Sequence, residues 1–274
     1  MKKRVLYGLG YALLILFAIF CLFPVYWLLL TSLKTNEEIF VNPWGPPMAL
    51  HWENYAQAIR EGHILRYFGN SVIVALTAVV VCVLLSTMAA YAITRMDWKL
   101  SKMVYNLFLA GMMIPVYAMI IPMFVIMNRM RLINTHPAVI IPQIAMGFPM
   151  GIFIICGFMQ SIPRELEEAA VMDGSNILQV FGLIILPLCR SSVVTVAVVM
   201  FISCWNDLLL PQIFLTDAAK MTLPVGLTEF QGRYSTNYVT MIAAVVITVV
   251  PSIVVYILLH RNIMGGMVAG AIKG

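Results

Sequence analysis

The chain has 274 residues, of which 62% are hydrophobic and 11% charged, with 17 basic and 12 acidic side chains and a net charge of +5. Ordinary soluble domains run at roughly 45–50% apolar and about 25% charged residues. So few charges cannot cover a soluble globule, and the basic residues are scattered between apolar runs, which excludes a soluble enzyme, a disordered chain and a nucleic-acid binder.

A membrane helix needs roughly 20 mostly apolar residues. Taken in chain order, the apolar runs predict six spans, at about 7–31, 70–94, 103–127, 137–160, 191–214 and 238–260. They are solidly apolar rather than alternating, which excludes a transmembrane barrel. The expected fold is an all-α membrane protein, with residues 1–274 forming one transmembrane domain surrounded by lipid. The first run is too long for a signal peptide and lacks an Ala-x-Ala cleavage pattern. Lys2, Lys3 and Arg4 precede it and place the amino terminus in the cytoplasm. Alternation then puts 34–66, 129–135 and 215–237 outside, and 95–102, 161–190 and the carboxyl terminus inside. Arg129 and Arg131 run against the charge bias.

Two spans carry paired prolines seven residues apart, Pro115 with Pro122 and Pro142 with Pro149. Seven residues is two helical turns, so each pair frees carbonyls along one face. Broken helices lining a path and ordinary kinked packing are both open readings. Ten of the 20 methionines lie between Met103 and Met159, as adaptable packing residues. The five cysteines lie in or beside apolar runs without metal-ligand spacing, so they read as small buried hydrophobes and no metal site is expected.

The spans hold little that could harvest an ion gradient, because Asp207 and His260 both sit near a span's end. There is no Gly-x-x-x-x-Gly-Lys-[Ser/Thr] phosphate loop, no His-Glu-x-x-His and no Gly-x-Ser-x-Gly, so no catalytic residue is assigned. The neutral groups Tyr117, Gln143, Trp205 and Asn206 are candidates for a solute path, with interhelical hydrogen bonding as the competing reading.

Within the segment 161–190 the 16 charge-free residues 174–189 are too short to span, so it reads as an amphipathic hairpin outside the hydrocarbon. Pro163, Glu165, Glu167 and Glu168 suit the start of a first helix, Gly174 its stop, and Ser175 the cap of a second. Ile177, Val180, Phe181, Ile184 and Ile185 form an apolar stripe on that second helix, closed by Pro187.

Glu168-Ala169-Ala170, then Gly174, then Ile184-x-Leu186-Pro187 resembles the Glu-Ala-Ala loop of binding-protein-dependent ABC import permeases. Seven specified positions at fixed spacing arise by chance on the order of once in 10⁸ windows at average residue usage. Trp205-Asn206, Thr222-Leu223-Pro224-Val225-Gly226-Leu227 and the tail from Gly266 to Gly274 extend the likeness to the carbohydrate-uptake branch, similar to the second permease subunit of maltose-type importers. That branch often has a second proline where this chain has Arg190-Ser191. The resemblance implies a type I ABC importer permease with six transmembrane helices and a cytoplasmic coupling-helix hairpin, in a bacterial or archaeal inner membrane. It implies a second permease subunit in a heterodimer, a dimer of ATPase subunits that binds the ATP and Mg, and an extracytoplasmic solute-binding protein. Glu168, Ala169, Ala170, Asp173 and Gly174 would couple to the ATPase, with Ile184, Leu186 and Pro187 fixing the return arm. The external loop from Asp217 to Tyr238 would face the binding protein, and the tail the ATPase pair. The rival readings are a self-contained secondary carrier or channel for a small polar solute, and a membrane enzyme, for which the bundle shows no polar cluster.

Overall fold

A computed structural model describes residues 2–233 and 237–271, and every described element is helical. The chain falls into two compact units, Met1–Leu65 with Gly226–Val250 and Arg66–Val225 with Pro251–Gly274, a finer division than the single domain read from the sequence.

The first unit holds α1 (Lys2–Thr31), α2 (Asn36–Val41) and α3 (Glu53–Glu61). From Tyr7 onward most of α1 is exposed within this chain. Past its end the loops are knotted by polar side chains. Lys34, 1% exposed, donates from Nζ to the Asn42 carbonyl at 2.6 Å, neutralising the carbonyl end of α2. Asn54 donates to the carbonyls of Ser32 and Lys34, both at 2.9 Å.

The second unit is built on α4 (Ile64–Arg95), α5 (Ser101–Gly111), α6 (Val116–Arg129) and α7 (Pro137–Met159). It continues with α8 (Glu165–Met172), α9 (Ile177–Leu188), α10 (Arg190–Trp205) and α11 (Leu209–Phe214). Two further helices, α12 (Leu223–Arg233) and α13 (Tyr238–Ala271), complete the chain. Four stretches are continuous, long and apolar enough to cross a membrane: Tyr7–Thr31, Ile64–Arg95, Pro137–Met159 and Tyr238–Leu258. Two bent pairs, α5 with α6 and α9 with α10, raise the number to as many as six if each pair is counted as one span.

The third expected span, 103–127, is one of those pairs, and of the two open readings of its prolines it takes the broken helix: α5 and α6 meet at 101°. Pro115 has no N–H to donate, and its ring drives Ile114 out of the helical region, so the chain opens over Met112–Pro115. Pro122, Pro142 and Pro149 sit inside helices without breaking them. The fifth expected span, 191–214, is likewise interrupted, since α10 ends at Trp205 and α11 begins at Leu209.

Close helix approach in this unit depends on small residues. Gly147 and Gly151 lie one turn apart on α7, and a Cβ on Gly151 would stand 2.3 Å from Ser86 Oγ on α4. A Cβ on Gly147 would stand 2.0 Å from Met200 Sδ on α10. Small residues at such spacing let membrane helices pack backbone to backbone. At the start of α7, Met123, Met127, Val139, Leu210 and Phe214 form a buried cluster that includes Val74 of α4. Asn134, at φ 63°, ties the following loop down: its Oδ1 accepts from the Thr216 and Asp217 amides at 3.1 and 3.0 Å.

Gly151→Ala should lower the thermal midpoint of the detergent-purified protein by an amount equivalent to about 1–3 kcal/mol, because Ser86 meets the new methyl with its own Cβ as well as its hydroxyl. Gly157→Ala, where a methyl would meet nothing outside the neighbouring backbone of α7, should leave it unchanged or slightly raised. Equal midpoints for the two variants, measured by scanning fluorimetry, would refute the close-packing role.

Candidate functional site

The hairpin of α8 and α9 is organised around its turn. Gly174 takes φ 86°, a left-handed conformation that a side chain resists. Its amide donates to the Val171 carbonyl at 3.0 Å and the Ser175 amide to that of Ala170 at 2.9 Å, the two bonds of a Schellman closure. The second helix is capped by Asn176, not by Ser175 as the sequence suggested. Asn176 Oδ1 accepts from the Leu178 and Gln179 amides, both at 3.0 Å, and the Gln179 side chain accepts from the Asn176 amide at 2.8 Å. Asparagine is as good a cap as serine, and only position 176 has a glutamine three residues on to close the box. Pro163 likewise stands just before α8 rather than in its first turn.

Within α9 a π-helical stretch covers Val180–Ile185, directly ahead of Pro187. The proline ring cannot tolerate the carbonyl four residues back, and widening the turn relieves that clash. At Cys189 the chain bends by 74° into α10, without the second proline of the carbohydrate-uptake pattern.

The coupling residues proposed from the sequence divide between two faces. Glu168, Ala169, Asp173 and Gly174 are exposed. Ala170 is buried, and Ile184 and Leu186 are half-buried, so these three pack the arms while Pro187 lies exposed beside them. Of the expected stripe, Val180 and Ile185 are buried and the Phe181 ring lies 5.2 Å from that of Tyr91 on α4, tilted by 58°, whereas Ile177 is turned out. Val171, Met172 and Leu178 are also exposed, which leaves an apolar patch around the acidic tip.

One anchor escaped the sequence reading. Arg95, at the end of α4, places Nε 3.1 Å from Glu167 Oε1, off the ideal hydrogen-bond line, with the two side chains only 5% and 14% exposed. Its Nη2 donates to the carbonyl of Ile162 at 2.8 Å and to that of Met159. Tyr91 adds a 3.4 Å hydrogen bond to the other Glu167 oxygen. Arg95 thus joins the end of α4, the carbonyl end of α7 and the first arm of the hairpin. Nearby, Arg164 donates to the Thr94 carbonyl at 3.3 Å.

The four solute-path candidates separate as well. Tyr117 and Gln143 line a cavity of about 440 Å³ between α6, α7 and α10, together with Asp207. Trp205 is buried at 1% exposure against Phe201 and Phe68, with centroids at 5.5 and 5.4 Å, so it is a packing residue rather than a wall of that cavity. Asn206 lies outside the cavity and donates to the Ile202 carbonyl at 2.9 Å, closing the end of α10. Gln143 donates from Nε2 to Asp207 Oδ2 at 2.9 Å, a contact between residues 64 apart that spacing alone did not reveal. Among the described residues no cluster of three or more His, Cys, Asp or Glu could hold a metal ion.

Residues 82–262, which contain the hairpin, the cavity residues and Arg95, match the family of binding-protein-dependent transport system inner membrane components. The chain belongs to that family. Across 97% of its length it is 34% identical to the diacetylchitobiose uptake system permease protein NgcG of Streptomyces coelicolor, 89% of which is covered. It is 30% identical to the trehalose/maltose transport system permease protein MalG of Thermococcus litoralis, over 99% of this chain and 98% of that one. A solved bacterial ABC transporter that imports the acidic polysaccharide alginate has a chain of the same fold, with TM-score 0.82 at 22% identity over 95% of this chain and 97% of that one. A binding-protein-dependent permease of this kind is a membrane transport component rather than an enzyme.

In this permease Arg95→Met should cost about 3–5 kcal/mol, because it strands a nearly buried Glu167 carboxylate. Arg95→Met combined with Glu167→Met should recover part of that loss. The check is a double-mutant cycle on thermal midpoints, and strictly additive midpoints would show that the two residues do not act on one another.

Proposed function

We propose that this permease is one of two transmembrane subunits of an ATP-driven importer that carries a sugar or small oligosaccharide into the cell. The observation that carries the reading is the hairpin: an exposed acidic and small-residue tip, held by a capped turn, on arms fixed to α4 and α7 through Arg95. A rigid projecting tip suits insertion into a cleft of another protein, and the tie to two long helices gives its movement somewhere to go. The cargo class is supported by relatives whose names specify diacetylchitobiose, trehalose and maltose.

ATP and Mg belong to a dimer of separate ATPase subunits, which fits a chain with no phosphate loop of its own. Glu168, Ala169, Asp173 and Gly174 meet the ATPase, while Ala170, Ile184, Leu186 and Pro187 hold the shape of the hairpin. The other partners are a second permease in a heterodimer and an extracytoplasmic solute-binding protein. The binding protein meets the outer loop from Asp217 to Tyr238, of which Tyr234–Thr236 lie outside the described residues. Both termini are cytoplasmic in an inner membrane of a bacterium or archaeon, with lipid around the exposed α1. The glycine-spaced tail from Gly266 points toward the ATPase pair, though Ile272–Gly274 lie outside the described residues. Closure and separation of the ATPase subunits shift the permease between outward-open and inward-open states.

Glu168→Lys and Gly174→Asp should leave the permease inserted but abolish co-purification with its ATPase. Gly174→Asn separates strain from charge, since asparagine tolerates positive φ. It should keep more of the docking than Gly174→Asp. Normal co-purification and full sugar uptake in Glu168→Lys and Gly174→Asp would overturn the docking assignment.

A further inference from the structure

The cavity between α6, α7 and α10 contains polar groups that helix packing does not account for. Gln143 is 6% exposed, and its carbonyl oxygen Oε1 is buried with no hydrogen-bond partner. The NH₂ group of the amide faces Asp207, which leaves Oε1 on the other side of the amide without a donor. Asp207 Oδ1 accepts from the Leu210 amide at 3.3 Å, which holds the carboxyl at the break between α10 and α11. A buried acceptor without a donor is rare in proteins, and where it lines a cavity it points to a ligand that supplies the donor. Much of the remaining lining is Met146, Met150 and Met200, flexible apolar side chains that adapt to a bound surface. Tyr117, largely exposed, and Ser203 add hydroxyls at the edge.

We propose that Gln143 and Asp207 form a subsite of the solute path that reads sugar hydroxyls. Gln143 Oε1 lacks a donor and Asp207 offers only acceptor oxygens, so the matching ligand brings donors, and two adjacent hydroxyls of a neutral sugar ring match two adjacent acceptors. Methionine sulfur and methyl groups pack against the apolar face of the ring. This rests on the import function proposed above, and it adds that this subunit touches the solute with its own residues instead of leaving recognition to its partner permease. Asp207 serves here as a solute acceptor and not as part of an ion relay, since no second titratable side chain lines the cavity apart from Tyr117 and Cys204.

The test uses the complete importer in proteoliposomes with its binding protein and ¹⁴C-labelled maltose, trehalose and diacetylchitobiose. The variants are Gln143→Met, which keeps volume and removes both polar atoms, and Asp207→Asn. Wild type should move at least one probe. Both variants should keep binding-protein-stimulated ATP hydrolysis, while sugar moved per ATP falls about tenfold, the effect of one lost hydrogen-bonded pair. Deoxy analogues of the transported sugar should include one on which wild type falls to the level of the variants and the variants fall no further. Unchanged sugar per ATP in the variants would overturn the subsite and leave the import function standing. So would equal losses of transport and ATP hydrolysis, or deoxy penalties that are the same in variant and wild type. A wild-type complex that moves none of the three probes would overturn the sugar reading and the subsite together.

Discussion

A single guanidinium at the end of α4 decides how the hairpin is held. Arg95 satisfies two carbonyls at the end of α7 and a carboxylate on α8 at once, in a place where its side chain is almost wholly removed from solvent. Desolvating such a pair is costly, and ion pairs of this kind return little net stability compared with apolar packing. Their value is geometric. Arginine's planar fork fixes direction as well as distance, so the hairpin arm cannot rotate about α4 without breaking several bonds together. The Schellman turn, the capping box and the Tyr91–Phe181 contact then specify the rest of the hairpin relative to that one point. A tip presented to another protein is useful only if displacement of the tip displaces the helices behind it.

The cavity obeys the opposite logic. The hairpin anchor brings opposite charges together, whereas the pocket between α6, α7 and α10 leaves the neutral acceptor Gln143 Oε1 buried without a donor. Its walls come from α7, which packs closely on α4 and α10 at Gly151 and Gly147, and from methionines that pack without fixed shape. A rigid glycine-packed spine beside an adaptable lining is a combination that can hold a polyhydroxylated guest without specifying it tightly.

Much of this could be read from the residues. Composition and run length gave an all-helical membrane chain, and the Glu-Ala-Ala spacing located the hairpin, because both are local properties of the sequence. The Gly174 turn was legible for the same reason: a glycine after a helical run has few other uses. What stayed hidden depends on partners far along the chain. Arg95 and Glu167 are 72 residues apart, and each has an adequate local explanation, as an interfacial charge and as a helix-start acid. Gln143 and Asp207 are hidden in the same way, and Asp207 was set aside because it lies near the end of a span. Trp205, open in the sequence to a solute path or to packing, packs on Phe201 one turn back and on Phe68, which lies far along the chain. Pro115 and Pro142 look alike in sequence, yet only the first breaks its helix.

That break also sets a relation between this protein and the thickness of its bilayer. The arms α5 and α6, of 11 and 14 residues, rise about 17 Å and 21 Å, and neither alone matches a hydrocarbon layer of roughly 30 Å. Their combined reach depends on the elbow at Met112–Pro115, which now stands at 101°. A straight span meets hydrophobic mismatch by tilting or by distorting the lipid. For two short arms joined by an elbow, the angle between them is a further geometric variable that sets the apolar height of the span. Bilayer thickness thus bears on the helix pair whose second arm brings Tyr117 to the edge of the cavity.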